Sequence, residues 1–210
     1  MTHKSSSQSV DKKVVARIYG KGRGWAFSPS DFVDLGSREA IYTALHRLER
    51  KGTIRRVLRG IYDYPRYSEL LRETLGPDID EVARALARKS GWRIQPSGAA
   101  ALNLVGLSTQ VPGRFVYRSD GPSRSFEVGK TTLAFRQGAL KEAGFRYPES
   151  GVIVQALKAL GEDRITDDTI EQLRAWVPEV RRAAVEKDTR KATGWVYATV
   201  RRICEERTDG

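Results

Sequence analysis

The stretch Val128–Thr132, VGKTT, has the ending of a Walker loop, in which backbone amides and a lysine cradle the phosphates of a nucleotide. The first glycine of that loop would fall at position 124, which is Arg124, so the stretch reads instead as a hairpin turn. His3 and His46 stand far apart, and His3 falls in a polar N-terminal arm read as disordered, so neither a catalytic dyad nor a metal pair is indicated. Cys204 is the single cysteine and has no neighbours at zinc-ligand spacing. Asp167, Asp168 and Glu171 could gather a magnesium ion, but acids so placed usually cap a helix and offset its dipole. Trp92, Trp176 and Trp195 read as core anchors. No catalytic residue, metal or cofactor is expected, and the chain reads as a binder rather than an enzyme.

The chemistry that remains is charge. The formal net charge is +11 over 210 residues, and it is distributed unevenly. Residues 1–66 carry 14 Lys/Arg against 6 Asp/Glu, residues 67–150 carry 12 against 9, and residues 151–210 carry 11 against 11. A segment as basic as the first attracts polyanions, because neutralising backbone phosphates releases condensed counterions. The charge concentrates in residues 37–62, SREAIYTALHRLERKGTIRRVLRGIY.

The elements that must position these charges follow from local pattern. Val14, Val15 and Ile18 sit at helical spacing ahead of Gly20, Gly22 and Gly24, WAF reads as a short strand, and Ser30 opens a second, short helix that stops near Gly36. Ser37 caps a third helix in which Ile41, Ala44, Leu45 and Leu48 share one face while Glu39, Thr43, His46 and Arg50 share the other. Gly52 ends it; TIRRVL and IYDY are strand-like around a tight Arg-Gly turn, closed by Pro65. This order, helix, strand, helix, helix, hairpin, describes a winged helix-turn-helix, in which a recognition helix enters the major groove and the hairpin reaches the adjacent backbone or minor groove. The candidate DNA contacts are Ser37, Arg38, Glu39, Tyr42, Thr43 and His46 from the helix and Arg55, Arg56 and Arg59 from the wing. Lys21 and Arg23 in the first loop are candidates to hold a phosphate.

Beyond Tyr67 the pattern changes. SELLRETL reads as a short helix, DIDEVARALARKSG as a longer one with acids at its start and bases at its end, and QPSGAAALNLVGL as a helix capped by Ser97 and rich in small residues suited to close packing. Residues 114–119, 124–128 and 131–135 are the most strand-like in the chain and predict a small antiparallel sheet, and the tail after Tyr147 is helical. No apolar run approaches the roughly 18 residues needed to cross a bilayer, and MTHKSSSQSVDKK lacks the apolar core of a signal peptide, so a cytoplasmic protein with no membrane association is expected.

Two segments carry a family resemblance: SREAIYTALHRLERKGTIRRVLRGIYDYP, and IQPSGAAALNLVGLSTQVPGRFVYRSDGPSRSFEVG with its small-residue helix, GL turn and VP leading into strands. In this order they resemble the AbiEi-type antitoxins of bacterial type IV toxin-antitoxin systems, especially the group designated DUF6088. The resemblance spans about residues 10–140. It implies a transcriptional autorepressor that binds inverted repeats in its own promoter as double-stranded DNA, and an antitoxin that counteracts a nucleotidyltransferase-like toxin encoded alongside during abortive phage defence. Two protomers on one inverted repeat are expected, because two-fold DNA symmetry is read most simply by two copies. The resemblance places DNA contact on Arg38, Tyr42, His46, Arg55, Arg56 and Arg59. Type IV antitoxins need not touch their toxin, so the second domain has no partner assigned by this route.

The expected architecture is α+β with two domains: residues 1–66 as the winged helix-turn-helix, and residues 67–210 as a mixed helix and small antiparallel sheet domain with a helical C-terminal tail. Two rival readings stay open. One is an antitoxin or adaptor working mainly through protein contact. The other is a nucleic-acid-modifying enzyme, opposed by the lack of an acidic cluster across Val116–Phe135.

Overall fold

The computed structural model describes residues 3–108, 113–140 and 145–205. The chain is a mixed α+β protein that divides into two compact units, Met1–Trp92 with Glu127–Lys130, and Arg93–Phe126 with Thr131–Gly210. The first unit therefore runs past the boundary expected at residue 66. The reason is a helix, α3 (Ile79–Ser90), whose Val82, Ala83, Leu86 and Ala87 are buried and which docks on the first unit's sheet.

The first unit opens with α1 (His3–Lys21), which begins in the arm read as disordered; its serines, glutamine and lysines include no helix breaker before Gly20. Then come β1 (Ala26–Phe27), a 3-10 turn (Pro29–Phe32), α2 (Arg38–Arg50), β2 (Arg55–Leu58) and β3 (Ile61–Asp63). The second helix of the sequence reading shrinks to that 3-10 turn, and its cap is Ser28 rather than Ser30: the Ser28 backbone N–H donates to the Asp31 carboxylate at 2.8 Å. β3 lies central in an antiparallel sheet of order β1-β3-β2, with Ala26 opposite Asp63 on one side and Arg55 opposite Asp63 on the other. Val14 and Ile18 of α1, Phe27, Phe32, Ile41, Ala44, Leu45, Leu48, Ile54 and Tyr62 form the core. Burying such side chains contributes about 1.5–3 kcal/mol each. Arg17 of α1 forks onto Asp34 with both contacts at 2.6 Å, and this holds the Asp34 carboxyl down to about 2.

SELLRETL does not form a helix. It makes a second hairpin, β4 (Tyr67–Ser68) with β5 (Glu73–Thr74), closed where the Leu75 N–H donates to the Arg66 carbonyl at 2.8 Å. Leu70 and Leu71 are 93% and 60% exposed, so the segment buries no apolar face that would hold a helix in place.

The second unit contains β6 (Ile94–Pro96), α4 (Gly98–Leu104), β7 (Arg114–Ser119), the start of β8 (Arg124–Val128), whose Glu127 and Val128 group with the first unit, β9 (Thr131–Gln137) and four tail helices, α5 (Pro148–Leu160), α6 (Asp167–Trp176), α7 (Arg182–Asp188) and α8 (Gly194–Cys204). The sheet order is β6-β7-β9-β8. β6 and β7 pair antiparallel, but β7 and β9 pair parallel from Arg114↔Thr132 to Ser119↔Gln137, so this sheet is mixed rather than wholly antiparallel. The Asp-Gly-Pro segment after β7 does not fold β8 back beside it; β8 takes the far edge and β9 enters between them. The acids considered for magnesium sit in α6: Thr166 caps the helix, Asp167 and Asp168 lie in its first turn, Arg202 reaches Asp167 at 2.8 Å, and Arg174 reaches Glu171 at 2.6 Å. Trp176 and Trp195 pack partly buried against the helical core, as expected for core anchors. Burial pushes the Cys204 thiol up to about 11.

The small residues of α4 permit its close approach to α5. A Cβ at Gly98 would lie 2.6 Å from the Ala159 Cβ, a rigid atom on a helix. Gly98→Ala is therefore expected to destabilise the protein by about 2 kcal/mol, the range for overpacking a filled core. Combining it with Ala159→Gly should restore part of that loss beyond additivity, read in a double-mutant cycle by urea unfolding.

Candidate nucleic-acid interface

The amphipathic pattern of α2 dictates its placement. Ile41, Ala44, Leu45 and Leu48 are buried, which leaves Arg38, Glu39, Tyr42, Thr43, His46 and Arg50 exposed along the outer face. The first turn is fixed by capping: the Ser37 hydroxyl accepts from the Ala40 N–H at 3.3 Å. The Glu39 carboxyl is held below its ordinary range by its own backbone N–H and the Ser37 hydroxyl. Ser37 and Glu39 thus shape the helix start. The Arg38 guanidinium lies 5.5 Å from the Tyr42 ring centroid, so the two present one surface of charge and aromatic face. His46 Nδ1 is 4.0 Å from Glu49 one turn on, and Arg47 turns toward α1, where it meets Asp11 at 2.8 Å.

The β2–β3 hairpin separates its arginines by role. Arg55 is placed opposite Asp63, which is 1% exposed, and forks onto it through Nε at 3.1 Å and Nη2 at 2.5 Å, while Nη1 donates to the Leu75 carbonyl at 3.0 Å. Its guanidinium is committed to the fold, unlike the phosphate contact expected of it. Arg56 and Arg59 are exposed and make no hydrogen bond or ion pair among the described residues. The turn itself is anchored from behind, since Lys89 of α3 donates to the Arg59 carbonyl at 3.2 Å.

Lys21 and Arg23 do not converge. Lys21 lies 6.0 Å over the Trp25 ring and shares a cavity with Arg17, Asp31 and Arg88. Arg23 stacks 4.7 Å from the Tyr64 centroid, donates to the Pro65 carbonyl at 2.8 Å, and faces a different cavity with Arg56. Arg66 and Tyr67 join that second cavity, and the sequence reading passed over both. Only the β4–β5 hairpin brings them there, and a segment read as a helix gives no signal of it.

No group of three or more His, Cys, Asp or Glu suited to a metal occurs among the described residues. Nor is any helix among them long and apolar enough to cross a membrane. A protein-family model described as a family of unknown function, DUF6088, matches residues 13–184 of the chain. No curated protein and no solved structure matches it.

Proposed function

We propose that this chain, which belongs to the DUF6088 family, is a winged helix-turn-helix protein that binds double-stranded DNA. The observation that carries the reading is the exposed face of α2, Arg38 to Arg50, beside a hairpin whose Arg56 and Arg59 make no hydrogen bond or ion pair among the described residues. Arginines kept unpaired in water gain most from phosphates, whose neutralisation releases counterions. Arg38, Tyr42 and Thr43 face outward from the N-terminal half of the helix, which meets base edges in this binding mode, and His46 follows on the same face. The β1-β3-β2 sheet and Lys89 behind the turn give the wing a fixed position relative to the helix.

The resemblance to AbiEi-type antitoxins extends this to a biological role. The protein represses its own promoter in the cytoplasm, two protomers sit on an inverted repeat, and it counteracts a nucleotidyltransferase-like toxin without catalysis of its own. The rival reading, an adaptor acting by protein contact, draws on the exposure of Leu70 and Leu71. Titrating the protein by fluorescence anisotropy against its own upstream DNA and a scrambled duplex, at two salt concentrations, separates them. DNA binding predicts tighter, salt-sensitive association with the upstream DNA. Equal or negligible association with both duplexes would leave the adaptor reading.

A further inference from the structure

A cavity of about 640 Å³ lies where the end of α2, the β2–β3 hairpin and the β4–β5 hairpin meet. Arg23, Arg55, Arg56 and Arg66 line it, against the single carboxylate of Glu49. Asp63 neutralises Arg55, so Arg23, Arg56 and Arg66 carry the charge of the lining, and each is brought there by the fold. Arg23 is held by the Pro65 carbonyl and the Tyr64 ring, and Arg55 by Asp63 and the Leu75 carbonyl. Arg66 reaches Asp78 at 3.1 Å, and its stem crosses Gly24, where a Cβ would lie 3.1 Å from the Arg66 Cδ. Gly24, at φ 95°, thus leaves room for the Arg66 stem beside it.

Each guanidinium has five N–H donors, so among the described residues Arg23 and Arg66 keep several free after these contacts, and Arg56 keeps all of its own. Hydroxyls of Thr53, Tyr67 and Thr74 add neutral donors to the same lining. Guanidinium forks with hydroxyls around them match the tetrahedral oxygens of a phosphate and exclude cations and apolar ligands. We propose that this cavity is a phosphate-binding site that seats a backbone phosphodiester of the duplex lying on α2. The assignment of the phosphate to DNA rests on the DNA-binding reading; a free phosphate or nucleotide shares the chemistry.

The test compares the wild type with Arg23→Gln/Arg66→Gln, two exposed residues outside the core, in anisotropy titrations of a scrambled duplex across a salt series. Arginine side-chain NMR during titration with orthophosphate and with deoxyadenosine monophosphate runs in parallel. The double variant is expected to lose about tenfold in affinity and to flatten the slope of log K against log salt by about two. Should the double variant not fold, Arg66→Gln alone, at a side chain 47% exposed, should flatten it by about one. A variant that binds duplex with the wild-type slope overturns the phosphate site while leaving DNA binding intact. A wild type that ignores duplex but binds orthophosphate or the nucleotide saturably, with loss in the variant, keeps the site and removes the DNA reading. Binding of none of the three overturns both.

Discussion

Arg55→Ala is expected to destabilise the N-terminal unit by about 3 kcal/mol, the low end of the cost of breaking a buried ion pair. Asp63 sits in the central strand, 1% exposed, and its carboxylate is met by Arg55 Nε at 3.1 Å and Nη2 at 2.5 Å. Removing the fork leaves a desolvated charge with no cationic partner across the register and frees the Leu75 carbonyl that Arg55 also holds. The low end applies because the Arg55 side chain is 32% exposed, so water screens part of the loss. Arg55→Lys should recover the charge but not the bidentate geometry, and so fall between the two. Urea unfolding followed by tryptophan fluorescence, with Trp25 packed against this core, checks the order wild type, lysine, alanine. A variant as stable as the wild type would mean that Asp63 finds another partner. Under folded conditions the salt dependence of DNA binding should be little changed, which separates Arg55 from its neighbours on the wing.

The helices with strong ends were legible in the sequence. Ser37 and Ser97 cap α2 and α4 as read, and α3 starts at the acidic run after Pro77 and ends at Gly91, whose φ is 69°. The strands at 114–119 and 124–128 have the boundaries read from their alternation and turns, and the third runs on to Gln137. What failed depends on contacts distant in sequence. The pattern of β7 and β9 is the same whether they pair parallel or antiparallel, so their parallel register could not be read from either strand alone. SELLRETL is built from good helix formers, yet it closes as a hairpin through the Arg66 carbonyl, because no buried face rewards the helix. Arg55 and Arg56 are adjacent and chemically identical. Alternation across the sheet sends one onto the buried Asp63 and leaves the other in solvent, and only the register of β2 on β3 decides which.

That division makes Arg56→Glu with Arg59→Glu the sharpest test of the wing. Both side chains are exposed and make no hydrogen bond or ion pair among the described residues, so the substitutions should leave the melting transition close to that of the wild type. If each arginine neutralises one phosphate, the loss of two contacts plus two new repulsions should lower duplex affinity by more than about a hundredfold at physiological salt. The fall should be similar for upstream and scrambled duplex, since phosphate contacts carry no base information. Tyr42→Ala on α2 should do the opposite, narrowing the preference between the two duplexes with little change in salt slope, because on the proposed DNA-binding reading its exposed ring with Arg38 meets base edges rather than backbone. An intact affinity in the double glutamate variant would remove the hairpin from the interface and leave α2 to bind alone. A fall confined to the upstream duplex would instead make Arg56 and Arg59 readers of sequence in the minor groove, where width and base identity decide the contact.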